Sequence, residues 1–211
     1  MARMDDYQAT FDLAAREFDE RDHDLMAERA GVKIADDGRL EVIFLNKKFL
    51  VGGDPMDVVP AEGGPEPHLT VKGLVLHYLL TADGTLPKGE WITFREVHAA
   101  DFYWGAFCRR AKDPLVGVFG RQPQLLVDLA AKLYAAAPAG LGDASVIVPA
   151  FPRVDVALLI YAGDDEFPPE GNLLFDANVG HYLSTEDVAV LSGMIVYPLI
   201  GAAGGAKGDR K

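Results

Sequence analysis

The stretch that most constrains the fold runs from Val154 to Leu191, VDVALLIYAGDDEFPPEGNLLFDANVGHYLSTEDVAVL. An apolar run from Val154 to Tyr161 leads into three adjacent carboxylates, Asp164, Asp165 and Glu166, and then into a stiff Phe167-Pro168-Pro169 corner. A second short apolar run ends on Asp176. Two runs of strand length bounded by turn residues predict two β-strands. Beyond them Ser184, with Asp187 three residues on, has the pattern of a capping box with a shortened acid, which predicts a helix start. Val188, Leu191, Ile195 and Leu199 give that helix an apolar stripe at helical spacing.

The rest of the chain supplies the partners for these elements. Residues 4–30 are expected to form one amphipathic helix, with Tyr7, Phe11, Ala14, Phe18 and Leu25 on one stripe and Gly31 as its stop. Leu40–Leu45 and Lys48–Val51 read as a hairpin turning at Asn46-Lys47, because Asn tolerates positive φ. Residues 52–67, rich in Gly, Pro and Asp, read as a loop. The spacing of Val71, Leu74, Val75, Tyr78 and Leu79 predicts a helix over 70–82, and Trp91–Phe94 reads as a short strand. Asp101 is expected to cap a helix that places Phe102, Tyr103, Trp104 and Phe107 in the core, and Pro114 and Pro123 each open a further helix. Ala144–Val148 and Val154–Tyr161 are joined by a connection too short for a parallel crossover, so they form an antiparallel pair. The sum is an α+β fold, a mostly antiparallel sheet with helices packed against it. The expected organisation is an N-terminal acidic helix (1–30), a single α+β domain (31–201) and a flexible tail (202–211).

Charge excludes one class of partner. The formal net charge is -12, and no cluster of Lys and Arg precedes the short tail at Lys207, Arg210 and Lys211, so a nucleic-acid interface is not expected. Residues 5–30 hold nine carboxylates against three arginines. That density suits a solvated helix face, or a docking arm for a protein partner. Cys108 is the single cysteine and no apolar run follows Met1, so a cytoplasmic location is expected. Val188–Ala206 carries no charged residue and reaches membrane-spanning length, but Ser192, Pro198 and four glycines favour a buried helix over a membrane span. The same segment would serve a structural homo-oligomer if it buried against a second copy.

No nucleophile elbow, phosphate-binding loop, dinucleotide fingerprint or His/Cys metal motif is present, and the sequence names no cofactor. The acidic turn is the candidate site. Three adjacent carboxylates repel one another, so a hard cation or a ligand amine would stabilise Asp164, Asp165 and Glu166, with Asp176 reaching back from the second strand. The alternative is an exposed acidic turn, with Asp176 capping the residues after it. His77 and His181 are the acid/base candidates if the chain is a divalent-cation-dependent enzyme; the ordinary reading of His77 is a half-buried helical histidine. Cys108, beside Arg109 and Arg110, reads as a small buried side chain more readily than as a reactive thiol.

Four landmarks carry a resemblance: LHYLLTADGTLP from Leu76, WITFREV from Trp91, FPRVDVALLIYAGDDEFPPEGNLLFD from Phe151 and HYLSTEDVAVL from His181. In these the chain resembles an uncharacterised prokaryotic family, the domain of unknown function numbered 3786, over most of its length after the N-terminal helix. Some relatives resemble fusions in which a four-cysteine iron–sulfur module precedes this domain. The resemblance therefore implies a cytoplasmic accessory or binding domain that partners an iron–sulfur or corrinoid protein. It carries over no catalytic residue, and this chain has a single cysteine and no such module.

Overall fold

The structure is a computed structural model that describes residues Met4–Gly208. It is α+β, with two antiparallel sheets and the helices that cover them. Its residues divide into two compact units.

The first unit takes the chain up to Leu86, together with Phe151–Arg153 and His181–Leu183. The expected single N-terminal helix is two helices, α1 (Met4–Asp19) and α2 (His23–Ala30). Asp22 breaks it: its side chain accepts from Leu25 N–H at 3.1 Å and so caps a new helix. The break rotates the stripe, so Phe11, Ala14 and Phe18 are buried while Leu25 is 41% exposed. Tyr7 lies outside the residues whose side chains are described. Gly31 ends α2 in the left-handed conformation, as expected of a C-terminal glycine.

A four-stranded meander follows, β1 (Lys33–Ile34), β2 (Leu40–Phe44), β3 (Lys47–Gly52) and β4 (Asp57–Pro60). The β2–β3 turn sits one residue earlier than Asn46-Lys47: Phe44 pairs with Lys47, and Leu45 and Asn46 both take positive φ, 47° and 62°. β4 corrects the loop expected over 52–67. Val58 pairs with Val51, and Pro60 is tolerated because β4 is an edge strand. α3 (Leu69–Thr81) buries Leu74, Val75, Tyr78 and Leu79, and Tyr78 stacks on Phe151 at 4.2 Å and on Tyr182 at 5.5 Å between ring centroids. Lys72, 3% exposed, is the buried cation of this unit; Asp57 and Glu66 satisfy it at 2.8 and 2.7 Å. Two carboxylates offset the desolvation that burial imposes on the ammonium.

The second unit holds the rest of the chain. Its strands are β5 (Trp91–Thr93), β6 (Ala137–Pro138), β7 (Ala144–Phe151), β8 (Val154–Tyr161) and β9 (Glu170–Asp176), ordered β5-β9-β8-β7-β6. β8 is buried at Val154, Val156 and Ala157–Ile160, the pattern of a central strand covered on both faces. The expected Asp101-capped helix is a 3₁₀ turn (Ala100–Phe102), a short α4 (Trp104–Phe107), a π-type turn (Cys108–Lys112) and α5 (Asp113–Phe119). Phe107 is buried, stacked on Phe94 at 4.2 Å, but Phe102 is 88% exposed, so the aromatic cluster is only partly core.

α6 (Pro123–Tyr134) and α7 (Thr185–Gly208) complete the unit. The capping box is present: Ser184 Oγ donates to Asp187 Oδ2 at 2.6 Å and accepts from Asp187 N–H at 3.2 Å. Val188, Leu191, Ile195 and Leu199 are fully buried. Pro198 lies within α7 and cannot bond the carbonyl four residues back. The Tyr134 hydroxyl reaches that break, donating to Ile195 O at 2.8 Å and to Met194 O at 3.5 Å. By length and composition α7 is able to cross a membrane, with mean hydropathy 1.7 over Thr185–Gly205, yet 50% of its apolar window is buried inside the protein. A core helix passes the same test.

Candidate functional site

The acidic residues singled out in the sequence fall into two places. β8 and β9 pair in antiparallel register from Val156↔Phe175 to Tyr161↔Glu170, so the turn carrying Asp164–Glu166 closes the Tyr161 end of this hairpin. Asp176 stands at the other end of β9, about 20 Å away at the rise of an extended strand.

At its own end Asp176 is built into the fold. Only 3% exposed, its carboxylate accepts from the backbone N–H groups of Lys88 at 2.9 Å, Gly89 at 2.6 Å and Asn178 at 3.0 Å. It fastens the Pro87–Glu90 turn beside β5, and Ala177 N–H completes the join on Glu90 O at 2.8 Å. Asp155, on β8 nearby, has its carboxyl held above the ordinary value by burial and by the Asp176 charge. Sequence reading missed Asp155, because an acid inside an apolar strand gives no sign of which carboxylate it faces.

The turn itself is ordered by local contacts. Asp164 Oδ1 accepts from Glu166 N–H at 2.8 Å and from Phe167 N–H at 2.7 Å, and Asp164 N–H donates to Phe167 O at 3.0 Å. The Phe167 and Glu166 N–H groups hold the Asp164 carboxyl below the usual carboxylate range. Pro169 packs between two glycines. A Cβ at Gly163 or at Gly120 would stand 2.5 Å from Pro169 side-chain carbons, so only glycine allows this approach. Gly163 N–H also donates to Gly120 O at 3.2 Å, tying the turn to the end of α5.

What the turn displays is an aromatic ring. Phe167 is 67% exposed between the exposed Glu166 and Pro168, and Tyr161, the last residue of β8, is 50% exposed at the same end of the hairpin. Asp165 and Glu166 are exposed, and Asp164 spends its Oδ1 on the two turn N–H groups. Among the described residues no three His, Cys, Asp or Glu gather to hold a metal ion. Phe167 was legible in the sequence only as a stiff corner; the signal available was a lone large aromatic set between a carboxylate and a Pro-Pro pair.

The two candidate histidines, His77 and His181, lie in the first unit. His77 is half-buried on α3 and has an interaction partner. His181 Nδ1 stands 2.6 Å from Asp83 Oδ2 and 3.3 Å from Thr85 Oγ1. Burial pushes the Asp83 carboxyl upward, but Thr85 N–H and His181 outweigh it, and its pKa falls to about 2. Tyr182 Oη donates to Thr85 O at 2.5 Å and fixes the same loop. Asp83 and Thr85 were not singled out in the sequence, since 98 residues separate Asp83 from His181. Cys108 carries a thiol raised above its usual value by burial and by Asp113, against the lowering effect of Lys112, Arg95 and Arg109.

The family model described as a domain of unknown function, DUF3786, matches residues 22–197. Comparison with curated proteins and with solved structures gave no match.

Proposed function

The chain belongs to the DUF3786 family, and from that membership and the hairpin turn we propose that the protein is an accessory binding module, docking a protein partner through Phe167 and its flanking carboxylates. One observation carries the reading: a large aromatic ring is held exposed on a turn whose backbone is already fixed by Asp164, Gly163 and Pro169. A ring held in the open on a pre-ordered turn is available to a partner, and aromatic anchors dominate the energetics of protein interfaces. Pre-ordering removes much of the entropy that docking a flexible loop would cost. Asp165 and Glu166 beside the ring fit a partner surface that is apolar at its centre and basic at its rim. The resemblance noted above makes an iron–sulfur or corrinoid protein the partner class we favour.

Affinity purification from the source organism, with the wild-type chain and Phe167→Ser as parallel baits, tests the proposal. Losing a buried aromatic anchor costs at least about 2 kcal/mol, roughly 30-fold in affinity, so the partner is retained by the wild type and lost by the variant. Phe167→Ser itself melts at the wild-type temperature, because the ring contributes little to the core. Identical captured sets from the two baits, or turnover of a substrate by the purified chain alone, overturn the reading.

A further inference from the structure

In the first unit, β4 is hydrogen-bonded to β3 on one side and ends its sheet on the other. An edge strand is a ready template for pairing with another chain unless something blunts it. The register decides which backbone groups face outward. Ala61 N–H donates to Lys48 O at 2.9 Å, and further along Val59 stands opposite Leu50 and Asp57 opposite Gly52. Hydrogen-bonded pairs alternate with unbonded ones in an antiparallel ladder, so Ala61, Val59 and Asp57 turn their backbone groups toward β3. Val58 and Pro60 therefore turn theirs toward the edge.

Those outward groups are closed one by one. Pro60 has no N–H to offer. Its carbonyl accepts from Gly63 N–H at 3.3 Å. Val58 N–H donates at 2.7 Å to Oδ1 of Asp57, the residue before it. Asp57 is itself pinned, because Lys72 Nζ holds the same oxygen at 2.8 Å. Lys72 is 3% exposed and also holds Glu66 at 2.7 Å, so the cation that fixes Asp57 is fixed in turn. The Val58 carbonyl is left, and an acceptor alone does not start a ladder.

We propose that β4 is a latent pairing edge for the β4 of a second copy, kept shut by Asp57 and Pro60, with buried Lys72 positioning the Asp57 carboxylate. A second copy is the natural occupant because the edge is self-complementary. A two-fold axis through Val59 sets residue 58 of each copy opposite residue 60 of the other, and both positions face outward. Four bonds would join such a pair, each linking an N–H and a carbonyl of positions 58 and 60. Two of them need the N–H that Pro60 lacks. The other two need the Val58 N–H that Asp57 holds and the Pro60 carbonyl that Gly63 holds. The wild-type edge thus makes none of the four. This inference does not rest on the Phe167 reading and stands or falls independently of it.

Amide hydrogen exchange on the full chain, joined to light scattering, is the test. In the wild type Val58 N–H is protected about 100-fold or more, although it faces away from the sheet. Asp57→Ala lowers that protection at least about tenfold, while Val59 N–H, turned toward β3, keeps its own. Glu66 still neutralises Lys72 in that variant. Asp57→Asn keeps an oxygen for Val58 N–H and stays closed. Pro60→Val restores the second donor. The double variant Asp57→Ala/Pro60→Val associates at a concentration about tenfold below either single variant, its mass rising toward twice that of the wild type. The amides of residues 58 and 60 regain protection as it does so. If the double variant does not fold, the wild-type, Asp57→Ala and Asp57→Asn exchange rates decide alone. Val58 exchanging like an unstructured amide in the wild type, or Asp57→Asn as open as Asp57→Ala, overturns the proposal. So does a folded double variant that keeps the wild-type mass, or one that associates without protecting residues 58 and 60.

Discussion

Asp176→Asn separates the two groups of carboxylates most sharply. In the wild type Oδ1 accepts from Lys88 and Asn178 N–H and Oδ2 from Gly89 N–H, all at 2.6–3.0 Å on a side chain that is 3% exposed. Asparagine keeps one carbonyl oxygen for two of these donors but turns an N–H toward the third. The loss is one charge-assisted bond plus a buried donor without an acceptor, together about 2–3 kcal/mol. A relief works in the other direction. The Asp155 carboxyl is held above its ordinary value by burial and by the Asp176 charge, so in the wild type its ionisation favours unfolding. That contribution to stability is present below pH 3.8 and is lost as pH rises through the folded value. Removing the Asp176 charge returns part of it at neutral pH, and the net cost at pH 7 stays near the lower end of the range. Urea unfolding followed by circular dichroism measures it, with Asp165→Asn as the control; the exposed turn residue changes stability by less than about 0.5 kcal/mol. Equal stabilities for the two variants would refute the assignment of Asp176 to the fold.

Three further outcomes follow from named contacts. Tyr78→Phe removes the hydroxyl that donates to Ala30 O at 2.5 Å and costs about 1–2 kcal/mol in urea unfolding, with unchanged far-ultraviolet circular dichroism. Asp83, lowered from 3.8 to about 2, contributes stability that is present above pH 3.8 and lost as pH falls through about 2; carbon-detected NMR titration of its carboxyl reads this directly. Both partners are roughly half-exposed, so solvent screening keeps Asp83→Asn under about 1 kcal/mol. Cys108, its thiol pushed up by burial and Asp113, reacts with a disulfide reagent more slowly than a free cysteine at pH 7.4, and its rate climbs only as the pH passes the ordinary thiol range.

The features that the sequence made legible are those decided within a few residues. Ser184 with Asp187, Gly31 as a helix stop, and the β8–β9 pair around Phe167-Pro168-Pro169 all rest on local chemistry. Where two local rules competed, the reading slipped. Asn46 drew the hairpin turn toward itself, yet the meander places Leu45 in the left-handed region as well, because Phe44 has to face Lys47 to keep Leu40, Val42 and Phe44 buried. Pro60 hid β4, since proline argues against a strand until the strand is known to lie at an edge. The site was half legible for a similar reason. The acidic turn is contiguous, but the partners of Asp176, His181 and Tyr182 lie 87 to 98 residues away, and no periodicity reports them. Exposure was the least legible property: Phe102 and Phe107 have the same composition and opposite fates, set by whether the 3₁₀ turn or α4 carries them.

Phe167 as the residue that meets the partner is tested most directly by a photo-crosslinker placed at that position. Benzoylphenylalanine in place of Phe167, irradiated in the source cells, is expected to yield a discrete adduct heavier than the chain, absent when the same group replaces Tyr197, which is 54% exposed on α7. An unmodified chain after irradiation, or the same adducts from both positions, contradicts it.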